Sequence, residues 1–150
     1  MTEHLLFVYG SLRRGHHNHS RLQGAMFLGN FSTVDRFTMF GLRSRAYPYA
    51  FADKDGVPVV GELYSVSTET IEFLDRMEGH PTVYCRTPLL LEGWGGTAEM
   101  YVLVEPQIKK TLQNYGTLSR RFVLIPSGDW TDFTGIQPMQ TNAQPSSTRQ

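Results

Sequence analysis

The sequence predicts a mixed α+β domain. Three observations lead there. Six runs of apolar and β-branched residues are separated by Gly, Pro, Asn and Ser, as strands are. Only two stretches repeat apolar residues at helical spacing. A chain of 150 residues, 40% hydrophobic and 19% charged, suits one domain with its own core.

The first strand, over 4–9, contains Leu5-Leu6-Phe7-Val8-Tyr9 and runs straight into Gly10-Ser11-Leu12-Arg13-Arg14-Gly15. Further strands are predicted over 25–40, 57–66, 83–92, 97–104 and 121–126. A helix from Thr68 to Glu78 follows the cap candidates Ser67 and Thr68 and stops at Gly79, a natural residue just past a helix end. A second helix, Pro106 to Tyr115, has Pro at its start, Ile108, Leu112 and Tyr115 on one face, and Gly116 beyond its end. The folded domain is expected to span 1–136. Residues 137–150 are Gln, Asn, Ser, Thr and Pro with almost no apolar side chains, and are expected to form a flexible polar tail.

Charge narrows the function classes. Fourteen basic residues balance 14 acids and the pI is near 7.0, which argues against nucleic acid as a partner. The apolar run at the start is too short to span a bilayer and lacks the features of a signal peptide, so no membrane role is expected. Cys85 has no second cysteine to pair with, which suits a reducing, cytoplasmic location. The balance conceals an asymmetry. Residues 1–50 hold six Arg against two acids, whereas 51–80 hold two basic residues against seven acids.

One of those acids stands out. On the predicted 68–78 helix, Ile71, Phe73, Leu74 and Met77 form one apolar arc, with Glu69, Glu72 and Arg76 opposite and Asp75 at the margin. Glu78, four residues after Leu74, falls within the arc. A carboxyl pressed toward a core is costly to ionise, so its pKa rises toward the range where it can both take and give a proton. The alternative is that Glu78 curls out to solvent or pairs with Arg86.

The Gly10-Ser11 turn after the first strand can present successive backbone N–H groups to a carboxylate or carbonyl oxygen, or it can be a plain turn. No Walker-type Gly-Lys-Ser/Thr follows it, and no Gly-x-Ser-x-Gly surrounds Ser11. His16-His17-Asn18-His19 lacks ligand-spaced partners, so it is read as a solvated loop cluster and no metal is expected.

The same residues carry a resemblance. Tyr9-Gly10-Ser11-Leu12, Gly61-Glu62-Leu63-Tyr64, Leu74-Asp75-x-x-Glu78-Gly79 and Tyr84-x-Arg86, in that order, resemble the γ-glutamylcyclotransferase-like (AIG2-like) family, with motifs spread from 5 to about 132. The longer strings Tyr9–His19, Ala46-Tyr47-Pro48-Tyr49 and Met77–Arg86 are similar to the branch acting on γ-glutamylamines. Ile125-Pro126-Ser127-Gly128-Asp129-Trp130 is similar to small bacterial members instead.

The resemblance implies a small mixed β-barrel with flanking helices. It implies a site between Tyr9, Gly10, Ser11 and Leu12 on one side and catalytic Glu78 on the other. The substrate would be a small γ-glutamyl molecule, an amine or amino acid conjugate, that releases 5-oxoproline without metal or cofactor. Tyr84, Tyr47 and Tyr49 are candidates for lining the pocket, or else are core aromatics. Arg86 and Glu62 are expected to be structural, paired inside or at the rim of the barrel, and Asp75 to close a helix-to-loop network. Arg13 and Arg14 either attract an anionic substrate or are solvated. The rivals are a non-catalytic binding module of the same fold, an enzyme removing a γ-glutamyl protecting group from a larger intermediate, and a metal-dependent hydrolase using the histidine cluster.

Overall fold

The computed structural model describes residues 3–22, 24–43, 47–118 and 120–135. The tail expected over 137–150 lies outside them, as does Ala46. The order of elements is β1 (Glu3–Val8), a 3-10 turn (His19–Leu22), β2 (Met26–Ser32), β3 (Phe37–Leu42), β4 (Pro48–Ala52), β5 (Val60–Ser67), α1 (Thr68–Met77), β6 (Tyr84–Leu90), β7 (Thr97–Leu103), α2 (Pro106–Tyr115), β8 (Phe122–Leu124) and α3 (Trp130–Thr134).

The α+β class is observed. A five-stranded sheet runs β2-β5-β1-β7-β6 and a three-stranded sheet runs β4-β3-β8. The barrel implied by the resemblance is not closed: among the described residues the two sheets stay separate ladders, with isolated bridges of Phe37 with Val57 and Thr33 with Leu91. β1 is central, antiparallel to β5 and parallel to β7.

That position explains why β1 is continuously apolar from Leu5 to Val8 rather than alternating. Leu6 and Val8 pack on one face with Tyr64, Val66, Ile71 and Leu74 of α1, and Leu112 of α2. Phe7 packs on the other with Leu63, Met100, Met39 and Trp130. Both faces are core, so the strand ends with its last residues already inside the protein.

Three expectations need correction. The run 25–40 is two strands, because Thr33 bonds Asp35 O through its hydroxyl at 2.7 Å and the chain turns before Phe37 starts a different sheet. β4 had no strand signature, since Pro48 opens it and removes a ladder donor. The run 121–126 keeps strand geometry only over Phe122–Leu124, and α3 follows it, capped by Asp129, which accepts Thr131 N–H at 2.9 Å. The second helix has its expected bounds, with Glu105 accepting Ile108 N–H at 2.7 Å as its cap.

Candidate active site

Gly10 follows β1 and Tyr9, where the chain passes hard against β4. A Cβ on Gly10 would sit 2.6 Å from Pro48 Cδ, so only glycine allows this approach. Beyond it, each carbonyl of the turn is taken. Gly10 O accepts Arg13 N–H at 3.0 Å, Ser11 O accepts Asn18 N–H at 2.9 Å, and Leu12 O lies 2.9 Å from His19 Nδ1. The backbone N–H groups of Gly10, Ser11 and Leu12 donate to no acceptor among the described residues. The loop is therefore pinned by its acceptors with its donors unspent, which is what an anion cradle needs. Asn18 Nδ2 also donates to Ser11 Oγ at 2.9 Å, filling a lone pair of the hydroxyl and leaving its proton for another acceptor.

The basic residues of this loop are not solvated but are committed to protein partners. Arg13 is 3% exposed and Glu62 0% exposed. Arg13 bonds Glu62 Oε2 at 3.4 Å and Asp129 Oδ1 at 2.9 Å, while Glu62 Oε1 accepts Arg14 N–H at 3.0 Å and the Tyr64 hydroxyl at 2.9 Å. Arg14 stacks 4.0 Å over the Phe27 ring. The histidines are likewise not a solvated cluster. His16 is buried, 3.1 Å from Thr134 Oγ1, and burial lowers its pKa. Only His17 is exposed. No three His, Cys, Asp or Glu side chains converge among the described residues.

Glu78 caps the C-terminus of α1, its N–H bonded to Leu74 O at 2.8 Å. The expected apolar arc is narrower than its sequence: Ile71 and Leu74 are buried, but Phe73 is 39% and Met77 36% exposed. Phe73 instead lies 5.3 Å beneath the Arg21 guanidinium. The half-buried Glu78 neither curls out nor pairs with Arg86. Arg86 is spent on Asp75 and Glu99, and no hydrogen-bond partner for the Glu78 carboxyl occurs among the described residues. Burial alone raises its pKa from 4.5 to about 7. Asp75 goes the other way. Burial raises it, but hydrogen bonds from Arg86 and Tyr101 outweigh that and hold it below its ordinary value. Arg86 and Glu62 are both ion-paired, each in its own network.

Three buried phenols surround the carboxyl. Tyr9 donates to Tyr101 O at 2.7 Å, Tyr84 to Pro48 O at 2.8 Å, and Tyr101 to Asp75 Oδ1 at 2.7 Å. Burial first, then the Glu78 charge among others, raises the Tyr9 and Tyr84 pKa values. With protons committed to protein acceptors, these hydroxyls offer only lone pairs to a ligand.

The loop, the phenols and Glu78 line a small inner pocket of about 40 Å³, which also touches Tyr47 and Pro48. Ser11, Tyr47, Glu78 and Tyr84 also line an outer cleft of about 450 Å³, so Glu78 stands at the junction of the two. Tyr49 lines the outer cleft only, stacked on Tyr84 with ring centroids 6.4 Å apart. Tyr47 is exposed at the rim. Every residue singled out for the site by the sequence thus meets one or both cavities. The sequence reading missed Asn18, Tyr101 and the buried Arg13–Glu62–Asp129 network. Asn18 stood in the motif string but was read as part of a histidine cluster.

On this small α+β fold a loop of unspent N–H donors faces, across a small pocket, a carboxyl with no hydrogen-bond partner among the described residues. The chain belongs to the gamma-glutamyl cyclotransferase, AIG2-like, family, which it matches over residues 6–132. It is 36% identical over 128 residues to a Vibrio cholerae protein provisionally named a gamma-glutamylcyclotransferase, covering 85% of this chain and 96% of that one. It is 34% identical over 105 residues to the gamma-glutamylaminecyclotransferase of Rattus norvegicus, covering 63% of this chain and 70% of that one. The crystal structure of an AIG2-like protein of Mus musculus superposes with a TM-score of 0.61 at 29% identity, covering 70% of this chain and 80% of that one. Among the described residues no helix is long and apolar enough to cross a membrane.

Proposed function

We propose that this protein releases 5-oxoproline from γ-glutamyl amides by intramolecular attack of the substrate's α-amine on its own γ-carbonyl. The observation that carries this reading is the unpartnered Glu78 carboxyl, opposite a loop whose N–H groups are unspent, in one pocket.

The nucleophile is tethered to its target, so the protein has only to fold the substrate and move protons. The N–H groups of Gly10, Ser11 and Leu12 bind the α-carboxylate or the oxyanion. The lone pairs of Tyr9 and Tyr84 receive the α-ammonium. Glu78 takes a proton from that ammonium, and the freed nitrogen attacks the γ-carbonyl carbon while the carbonyl electrons move to oxygen. As the tetrahedral intermediate collapses, the bond to the leaving nitrogen breaks and Glu78 returns a proton to it. Two protons leave the α-nitrogen in all and two reach the leaving nitrogen, relayed one at a time. No water is consumed. A carboxyl poised at about 7 suits both halves of that relay near neutral pH.

On this reading bond making and breaking need only the substrate's amine and Glu78, so no metal or cofactor is required. The partner is a small molecule, and the lone Cys85 suits a reducing cytoplasm. The test is incubation with γ-glutamyl-alanine, γ-glutamyl-ε-lysine and glutathione. Formation of 5-oxoproline from at least one supports the proposal, and none from a broad γ-glutamyl panel refutes it.

A further inference from the structure

The outer cleft bears on which amine leaves, and it holds an unspent charge. Arg76, on the last turn of α1, is exposed, lines the cleft, and has no carboxylate partner among the described residues. The other arginines near the site are engaged. Arg13 and Arg86 are ion-paired, and Arg14 and Arg21 lie over Phe27 and Phe73. Among the described residues Glu78 is the one carboxyl in the cleft wall, and the proposed reaction commits it to the substrate's α-nitrogen. Met77, Val83, Ile108 and Tyr49 give the wall apolar and aromatic surface, and Ser11 and Asn18 line it as uncharged polar groups.

We infer that the leaving amine is an amino acid with an apolar side chain, whose carboxylate is read by Arg76, and that cationic leaving groups such as polyamines are disfavoured. The inference rests on the proposed function and selects within it. A carboxylate beside the leaving nitrogen meets Arg76, the one free cation of the wall among the described residues, while the side chain covers Met77, Val83 and Ile108. A polyamine conjugate brings a second ammonium into a cleft whose described residues offer it Arg76 and no free carboxylate, so like charges meet. The same geometry disfavours an amine carried at the end of a lysine side chain, which puts its carboxylate far from the scissile bond and adds an ammonium.

A matched set decides it: γ-glutamyl-leucine, γ-glutamyl-isopentylamine, which lacks only the carboxylate, and γ-glutamyl-putrescine. At low salt, kcat/KM is expected to favour the leucine conjugate over isopentylamine about fivefold, as an exposed ion pair allows, and over putrescine by more. The first preference should reside in KM and shrink at high ionic strength. Arg76→Gln should bring the leucine-to-isopentylamine ratio close to one, Arg76→Lys should restore part of it, and Arg76→Glu should improve the putrescine conjugate relative to leucine. Equal use of all three conjugates, preference for putrescine, or a leucine preference unchanged in Arg76→Gln would overturn the inference and leave the parent reaction standing. Absence of 5-oxoproline from every conjugate overturns the proposed function, and this inference with it.

Discussion

Arg86 holds both carboxylate oxygens of Asp75, with Nε on Oδ1 and Nη2 on Oδ2, each at 2.9 Å. Its remaining Nη1 goes to Glu99 at 2.6 Å. The guanidinium is thus consumed one helical turn from Glu78. Had it paired with Glu78, the carboxyl would be held ionised at low pH and would lose the capacity to return a proton. Asp75 is a structural acid that keeps a strong cation away from the proposed base.

This division of labour makes Asp75→Asn a test of stability more than chemistry. Losing one of the two carboxylate partners of the half-buried Arg86 should cost about 1–3 kcal/mol, read by urea unfolding. The turnover number should stay within about tenfold of wild type, whereas a second general acid would cost about 10²–10⁴-fold. The sign with pH follows from the lowered pKa of Asp75. Its contribution is fully present above the ordinary Asp value of about 4 and fades as pH drops through the folded value, so wild type and variant should converge in acid.

Ser11 offers a second test. Its Oγ accepts from Asn18 Nδ2 at 2.9 Å, which leaves the hydroxyl proton for the cavity. If that proton meets the developing oxyanion, Ser11→Ala should lower kcat about 10²-fold with little change in KM. Asn18→Asp replaces the donor with an acceptor that draws the proton away, and should do comparable damage. The double variant should be no worse than either single one, because both remove the same hydrogen bond. Full activity in Ser11→Ala would show the hydroxyl to be a bystander.

The loop's foundation can be probed apart from its chemistry. Glu62 is fully buried and depends on Arg13 for charge compensation. Arg13→Ala should destabilise the fold by about 3 kcal/mol, since it leaves the buried Glu62 carboxylate only the long 4.0 Å contact with the Arg14 guanidinium as charge compensation. Glu62→Gln should cost less, because Arg13 keeps Asp129 at 2.9 Å and the amide oxygen can still accept Arg14 N–H. Thermal unfolding of the two variants ranks them, and the reverse order would contradict this account.

These networks also explain what could and could not be read from the chain. The two helices were legible because their signals are local: Pro106 and Gly116 bracket one, Ser67 and Gly79 the other. Glu78 was legible because its spacing from Leu74 and Ile71 put it off the solvent face. Arg13 and His16 were not, since their burial depends on Asp129 and Thr134, more than a hundred residues away. Nor were β4 or the split between β2 and β3, where tertiary pairing overrides weak local propensity. The acid was thus visible from sequence, whereas the frame that aims the donor loop at it was assembled by distant contacts.

Glu78→Gln is expected to separate activity from stability in opposite directions. In the folded protein burial raises this carboxyl from 4.5 to about 7. Between those values the folded state holds a proton that the unfolded chain has released, so wild-type stability falls as pH rises through that window. The penalty at about pH 8 should be on the order of 2 kcal/mol, less than the full shift implies because the side chain is only half-buried. Gln cannot ionise and escapes it. The variant should therefore be more stable than wild type at about pH 8 and nearly equal to it at about pH 4, as read by urea midpoints across pH. Turnover should drop about 10²–10⁴-fold. In wild type, kcat/KM should rise with pH along a limb centred near 7, where Glu78 loses its proton, and this limb should vanish from any residual activity of the variant. An active Glu78→Gln would move the proton relay to another group, and a variant less stable than wild type at about pH 8 would mean that the carboxylate has a partner in solution.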